Sequence, residues 1–561
     1  MADNDSDKWV WFSDDDPLPG PLKPDLQTPV DLFQFDEIPP EARKEPGTDG
    51  LVRGLELHVA GKSEEALEVL ETALAAGEPA ADVQAAIGGI QFALGRFDAA
   101  ARAYRAVAEA APEHKTASYN AAVCEERAGR AAEAAVLFDR AAAVDPDRRE
   151  AWLGLGLARL TLDENERAVE AFDRYLQGGD DPRARFGRAV ALQKVGQSAE
   201  AAGIYEGLLR TGQNFPELLH NLMVLNTERG DFEGAAAAAA RLLARDPQSA
   251  PALSVLAAAA FASGDFAAAV RHNEALVALA PTHDTWFNLG VARQSGGKFE
   301  QAAEAYTRAL EAMPDSAQAA ANLGLVLQQQ QDLNGAAKAY ERALQSDPTM
   351  AGPLWNLALI AERRDELERA EGFYSRLLEH NPRMADASFR LGYLRLQRGD
   401  LPGSVAAFDA CLAERPAWGD AWMNKGIAHW RSGDRDGSRE AFERALAEAP
   451  GSVEALRALA ALAIERGDAG QALEYQKRLI DLGERSPEVL YNTALLLQRD
   501  GRLDDAIRYY KEAIGERGQF AEALLNLGHA LKSMGQEGEA RQYWRKAMDA
   551  DPELAEAYFG N

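Results

Sequence analysis

Eight asparagines recur at related intervals down this 561-residue chain: Asn120, Asn221, Asn288, Asn322, Asn356, Asn424, Asn492 and Asn526. A carboxamide carries two donors and an acceptor. A row of them can hydrogen-bond the main chain of an extended peptide whatever its side chains, or tie neighbouring helices together. The adjoining position holds aromatics: Tyr119, Phe186, Phe287, Trp355, Phe389 and Tyr491. Facing solvent, these rings would form apolar pockets for a ligand's side chains; facing a neighbouring segment, they are packing. A sparser set of bases, Arg127, Lys194, Arg363, Arg431 and Arg499, would add selectivity for acidic stretches or is simply solvated.

Chemistry of other kinds finds little support. The eight histidines are scattered, without an HExxH or a tight Cys/His spacing. No phosphate-binding glycine loop, dinucleotide fingerprint or nucleophile elbow occurs. Cys124 and Cys411 are the only cysteines, too few for a disulfide framework, and read as small buried hydrophobes. No catalytic, cofactor or metal residues are assigned, and the chain is expected not to be an enzyme.

The elements that must position the asparagines repeat with a period near 34 residues. Fifteen segments carry a small residue at one place: Ala66, Ala100, Ala134, Ala168, Ala201, Ala235, Ala269, Ala302, Ala336, Ala370, Ser404, Ser438, Ala472, Ala506 and Ala540. Such a period means one supersecondary unit copied along the chain. In residues 283–316, apolar or small residues at three-to-four spacing mark a first amphipathic helix through Trp286, Leu289 and Gly290. Gly297 ends it, a second stripe runs through Phe299, Ala302, Tyr306, Ala309 and Leu310, and Pro314 closes the unit. Gly or Ala is kept at the helix crossing, as at Gly290, Gly324 and Gly426, with Met223 the exception, because a large side chain would hold the paired helices apart. The punctuation weakens at 47–80, 182–215 and 453–520, where the closing proline is displaced or absent.

The set Trp286, Leu289, Gly290, Ala302, Tyr306, Ala309 and Pro314 resembles the tetratricopeptide repeat. The resemblance covers roughly 47–554 and implies an all-α fold, a right-handed superhelical solenoid of about fifteen helix-turn-helix repeats, with the first helices lining its concave side. The asparagine row looks like the ladder in the repeat arm of O-linked N-acetylglucosamine transferases, without a catalytic domain. The carboxylate clamp of chaperone-cofactor repeats is missing: Asn356 and Arg390 are its nearest match, and Ala321, Leu325 and Asp386 supply no further Lys, Asn or Arg.

Residues 1–46 depart from the pattern with twelve acids against four bases and many prolines, a composition expected to be disordered in isolation. They also hold Trp9, Trp11 and Phe12, then Phe33 and Phe35, suited to folding onto a partner or onto the array itself. Residues 555–561 read as a partial cap.

The net charge of −29 argues against nucleic acid or an anionic membrane as main partner. No basic n-region, cleavage site or long uncharged apolar run is present, so membrane insertion is not expected and a cytoplasmic setting is. The expectation is a protein-binding scaffold that takes extended peptide segments along a groove. Alternatives are a substrate-recruiting partner of a separate glycosyltransferase, or a structural protein self-assembling through its terminal repeats.

Overall fold

The computed structural model describes residues 49–551. Among them are thirty α-helices and no strand, arranged as fifteen antiparallel pairs from Asp49–Val59 with Ser63–Ala75 to Ala521–Ser533 with Glu537–Ala550. The fold is an all-α solenoid of tandem repeats. The described residues group into two bodies, 49–313 (repeats one to eight) and 314–551 (repeats nine to fifteen).

One joint recurs in every pair. All fifteen of the small residues in the second helices are fully buried, from Ala66 to Ala540. Where the residue is serine, its hydroxyl donates to a first-helix carbonyl: Ser404 Oγ to Gly392 at 2.8 Å and Ser438 Oγ to Gly426 at 2.9 Å. The crossing glycines lie under the aromatic ring of their own second helix, except Gly54, which lies under Leu70. A Cβ on Gly290 would come within 2.6 Å of Tyr306, and one on Gly426 within 2.5 Å of Phe442. The same rings reach forward to the next repeat: Phe138 lies against Gly154, and Phe172 is held between Gly156 and Gly187. The ring fills the space within and between units, which is why neither side tolerates bulk.

Between the paired helices the backbone turns through a left-handed residue. Glycine provides it in twelve repeats, for example Gly297 at φ +73°. Asp163, Gln331 and Asp365 adopt the same conformation in the other three, at +58°, +65° and +57°. Several second helices are then started by an aspartate that caps the third amide, as Asp265 does to Ala268 and Asp434 to Gly437.

The repeats with irregular prolines use a different stop. Their second helices end with left-handed Gly77, Gly212 and Gly483, and the proline moves forward: Pro79 precedes the next helix, while Pro216 and Pro487 begin theirs. In these three the punctuation is exchanged rather than lost, whereas the helix Leu503–Glu516 ends at Arg517 with neither a proline nor a left-handed glycine.

Candidate functional site

Within each body the first helices of successive repeats touch, as Ala117–Arg127 does with Arg149–Thr161 and Ala385–Arg398 with Gly419–Ser432. Contacts between successive second helices are slight at most. The first helices therefore form the inner face of the curve, and the asparagine row runs along them.

In 49–313 that face is closed. Val123, Val190, Val224 and Val291, each three residues beyond the row position, are all buried, and so are Tyr119, Phe186, Asn221 and Phe287. The rings pack on the aromatic of their own second helix: Tyr119 on Phe138 edge-on at 5.9 Å and Phe287 on Tyr306 at 5.7 Å. Asn221 donates to Tyr205 Oη at 3.5 Å, and the hydroxyl of Tyr104 is hydrogen-bonded by Asn120 in the next repeat. Here the amides tie one repeat to the one before it, and these residues offer a ligand little surface. Asn288 is half-buried.

In 314–551 the face is open. Leu359, Ile427 and Leu495 are partly exposed, and Tyr393 and Trp430 are 42% and 48% exposed. Trp355, Phe389 and Tyr491 are half-buried and keep the edge packing on Tyr374, Phe408 and Tyr510. Asn322 is buried and Asn356 hydrogen-bonds Tyr340. Asn526 donates to Tyr491 Oη at 3.0 Å and to the Glu522 carbonyl. Asn424 and Asn492 differ. Both are half-buried, as Asn288 is, but Asn424 donates only to the Asp420 carbonyl of its own helix at 2.8 Å, and Asn492 makes no hydrogen bond among the described residues. The residue sixteen before each is Phe408 or Gln476 rather than tyrosine, so the tie to the previous repeat has no hydroxyl to use.

The tyrosine tie was not legible as such in the sequence, although its spacing was present. Tyr205, Tyr306, Tyr340 and Tyr510 each donate to a glutamine twelve residues earlier, Gln193, Gln294, Gln328 and Gln498. In one repeat the pattern is rewritten as charge. Tyr374 donates to Glu362 at 2.5 Å, and Arg390, standing where other repeats have asparagine, pairs with the same carboxylate at 3.0 Å. That pairing occupies Arg390, and Asp386 is in turn held by Arg415 at 3.0 Å, so the clamp-like positions are engaged with each other.

Among the described residues no group of His, Cys, Asp or Glu could hold a metal ion. No described helix is long and apolar enough to cross a membrane. Burial pushes the thiols of Cys124 and Cys411 up to about 12 and about 11, which leaves them protonated and unreactive near neutrality. The buried carboxylate among the described residues, Glu125, is clasped by Arg105 and Arg130, a structural ion network. Trp9, Trp11, Phe12, Phe33 and Phe35 lie outside the described residues.

Family models described as tetratricopeptide repeat match residues 51–101, 86–143, 135–182, 182–206, 227–289, 287–351, 355–421, 423–487 and 497–559. Protein CTR9 homolog of Arabidopsis thaliana is 33% identical over 133 residues, 23% of this chain and 12% of that protein, so the match spans about an eighth of the relative's length. Among solved structures, YrrB, described as a TPR protein with an unusual peptide-binding site, is 22% identical over 34% of this chain and 96% of its own, with a TM-score of 0.30. The Naa15/Naa10 complex bound to HypK-THB is 13% identical over 90% of this chain and 94% of its own, with a TM-score of 0.33. With matches across most of its length, and the Ala, Gly and aromatic joint in place in pair after pair, the chain belongs to the tetratricopeptide repeat family.

Proposed function

We propose that this protein is a non-enzymatic scaffold that holds an extended peptide segment on the inner face of residues 314–551. Tetratricopeptide repeat proteins are in general protein-interaction scaffolds, and the family architecture is typically non-catalytic. One observation supports the finer reading. Asn424 and Asn492 are half-buried amides outside the tyrosine ties, beside partly exposed Ile427, Leu495 and Trp430. An amide can meet a peptide's main chain while the apolar neighbours receive its side chains. Repetition along the array adds contacts that are individually weak.

The test compares the full chain with an Asn424→Ala/Asn492→Ala variant against a peptide library, read by fluorescence anisotropy with circular dichroism as the folding control. Binding that falls about tenfold at unchanged helicity supports the groove. Equal binding by both proteins sinks it.

A further inference from the structure

The inner face of 314–551 has a second rhythm, two repeats long. Asn356, Leu359 and Arg363 in the tenth repeat recur as Asn424, Ile427 and Arg431 in the twelfth and Asn492, Leu495 and Arg499 in the fourteenth. Each step is 68 residues. Spacings of three and four place each triplet on one helical face. The intervening eleventh and thirteenth repeats contribute exposed Tyr393 and Ile464, and the twelfth contributes exposed Trp430, whose indole donates to Glu465 at 3.5 Å.

The three arginines differ from most other bases of these first helices. Arg390, Arg395, Lys425 and Arg457 are each paired with a carboxylate, Glu362, Glu371, Asp409 and Glu484, at 2.7 to 3.0 Å, while Lys532 lies over the Trp544 ring at 5.8 Å. Arg363, Arg431 and Arg499 are exposed and have no acidic partner among the described residues; Arg431 donates only to the Leu396 carbonyl, at 3.3 Å. In a chain of net charge −29, with acid available on nearly every helix, three unneutralised guanidinium groups on one face are a specific arrangement. The equivalent bases of 49–313 behave differently: Lys194 is paired with Asp163 at 2.6 Å and Arg127 is half-buried.

We propose that this face docks an extended acidic segment of a partner protein bearing aromatic or aliphatic side chains. The carboxylates would meet Arg363, Arg431 and Arg499, which can each bind bidentately, and the apolar side chains would lie on Tyr393, Trp430 and Ile464. This deepens the peptide-scaffold reading and rests on it. Guanidinium groups on the rim of a surface mainly set selectivity and on-rate, whereas the apolar contacts between them supply most of the affinity.

The probe is a synthetic peptide alternating Glu and Leu around a central Trp, with a Gln-for-Glu version as its neutral twin, titrated into the full chain at low and moderate salt. The acidic peptide is expected to bind about tenfold tighter than the neutral one, with a preference that shrinks as salt rises. Arg363→Ala/Arg431→Ala/Arg499→Ala should erase the preference while neutral binding persists, and Trp430→Ala should weaken both peptides. Equal binding of the two peptides, or a preference that survives the triple substitution, overturns the acidic assignment; if both peptides also lose affinity with Asn424→Ala/Asn492→Ala, the groove itself stands. No binding of either peptide overturns the acidic assignment and the groove together. A host with Trp9, Trp11 and Phe12 replaced by Ala that binds the probe more tightly would give the surface to the chain's own acidic segment, and the external partner would be rejected.

Discussion

Asn221 reaches back to the hydroxyl of Tyr205 at 3.5 Å while the same hydroxyl donates to Gln193 at 3.1 Å, so one buried phenol links two helices of its own repeat to the first helix of the next. Burial of these groups means that a lost partner is not replaced by water. Tyr205→Phe should take one hydrogen-bond partner from each of the Gln193 and Asn221 amides and destabilise this joint by about 1–3 kcal/mol. Hydrogen exchange is the suitable measurement, because long arrays unfold in parts. Faster exchange is expected in Pro182–Lys194 and Pro216–Glu228; an unchanged pattern would show that the tie carries no stability.

The crossing glycines and the open ones should respond oppositely to a methyl group. Gly426→Ala drives a Cβ against Phe442 and is expected to cost about 1–3 kcal/mol. Gly372→Ala, within the helix Leu367–His380 and with nothing inside 4 Å of the added carbon, should stabilise by about 0.5–1 kcal/mol. Urea melts of the two variants, followed by circular dichroism, should shift in opposite directions.

Gln331 pays a conformational cost for a place that glycine fills in most repeats. At φ +65° its Cβ is disfavoured, and the residue's backbone amide makes the usual turn bond to Gln328. Gln331→Gly is expected to stabilise by about 1 kcal/mol. Asp163→Gly should gain less, because Asp163 also accepts from Lys194 at 2.6 Å. Thermal melts that rank the two in the reverse order would refute this account.

Alkali should loosen the array through its tyrosines. Burial holds the hydroxyls of Tyr104, Tyr205, Tyr340, Tyr374 and Tyr510 above the ordinary value of 10.0. The folded chain keeps these protons where the unfolded chain releases them. Their contribution is complete below the unfolded value and is lost as pH rises beyond it. The melting temperature should hold steady from neutrality to about pH 9 and fall above about pH 10. A matching rise in the tyrosinate absorbance at the melt would identify the groups responsible.

The fold could be read from the residues because its joint depends on local rules repeated fifteen times. Ala66 through Ala540 mark burial, Gly297 and its counterparts mark the left-handed turn, and Gly290 marks the crossing. The candidate surface was only partly legible. Asn221 and Asn424 occupy the same place in the pattern, yet one is sealed and the other only half-buried. The difference lies sixteen residues earlier, in Tyr205 against Phe408, and in how closely the neighbouring first helix approaches. Spacing alone reports neither. The pairing of Glu362 with Arg390 shows the same point, since a rung missing from the asparagine row turned out to be the tie written in charge.

The two-repeat recurrence of Asn, aliphatic and Arg gives this half of the chain a parity. Every joint accepts the next repeat, so losing one repeat leaves the packing rules satisfied and the solenoid shorter. The alternation is not indifferent in that way. Removing the eleventh repeat alone would set the triplets of the tenth and twelfth side by side, whereas removing the eleventh and twelfth together would leave the alternation as it was. Length in such a molecule can change one unit at a time, but its pattern is preserved only in twos.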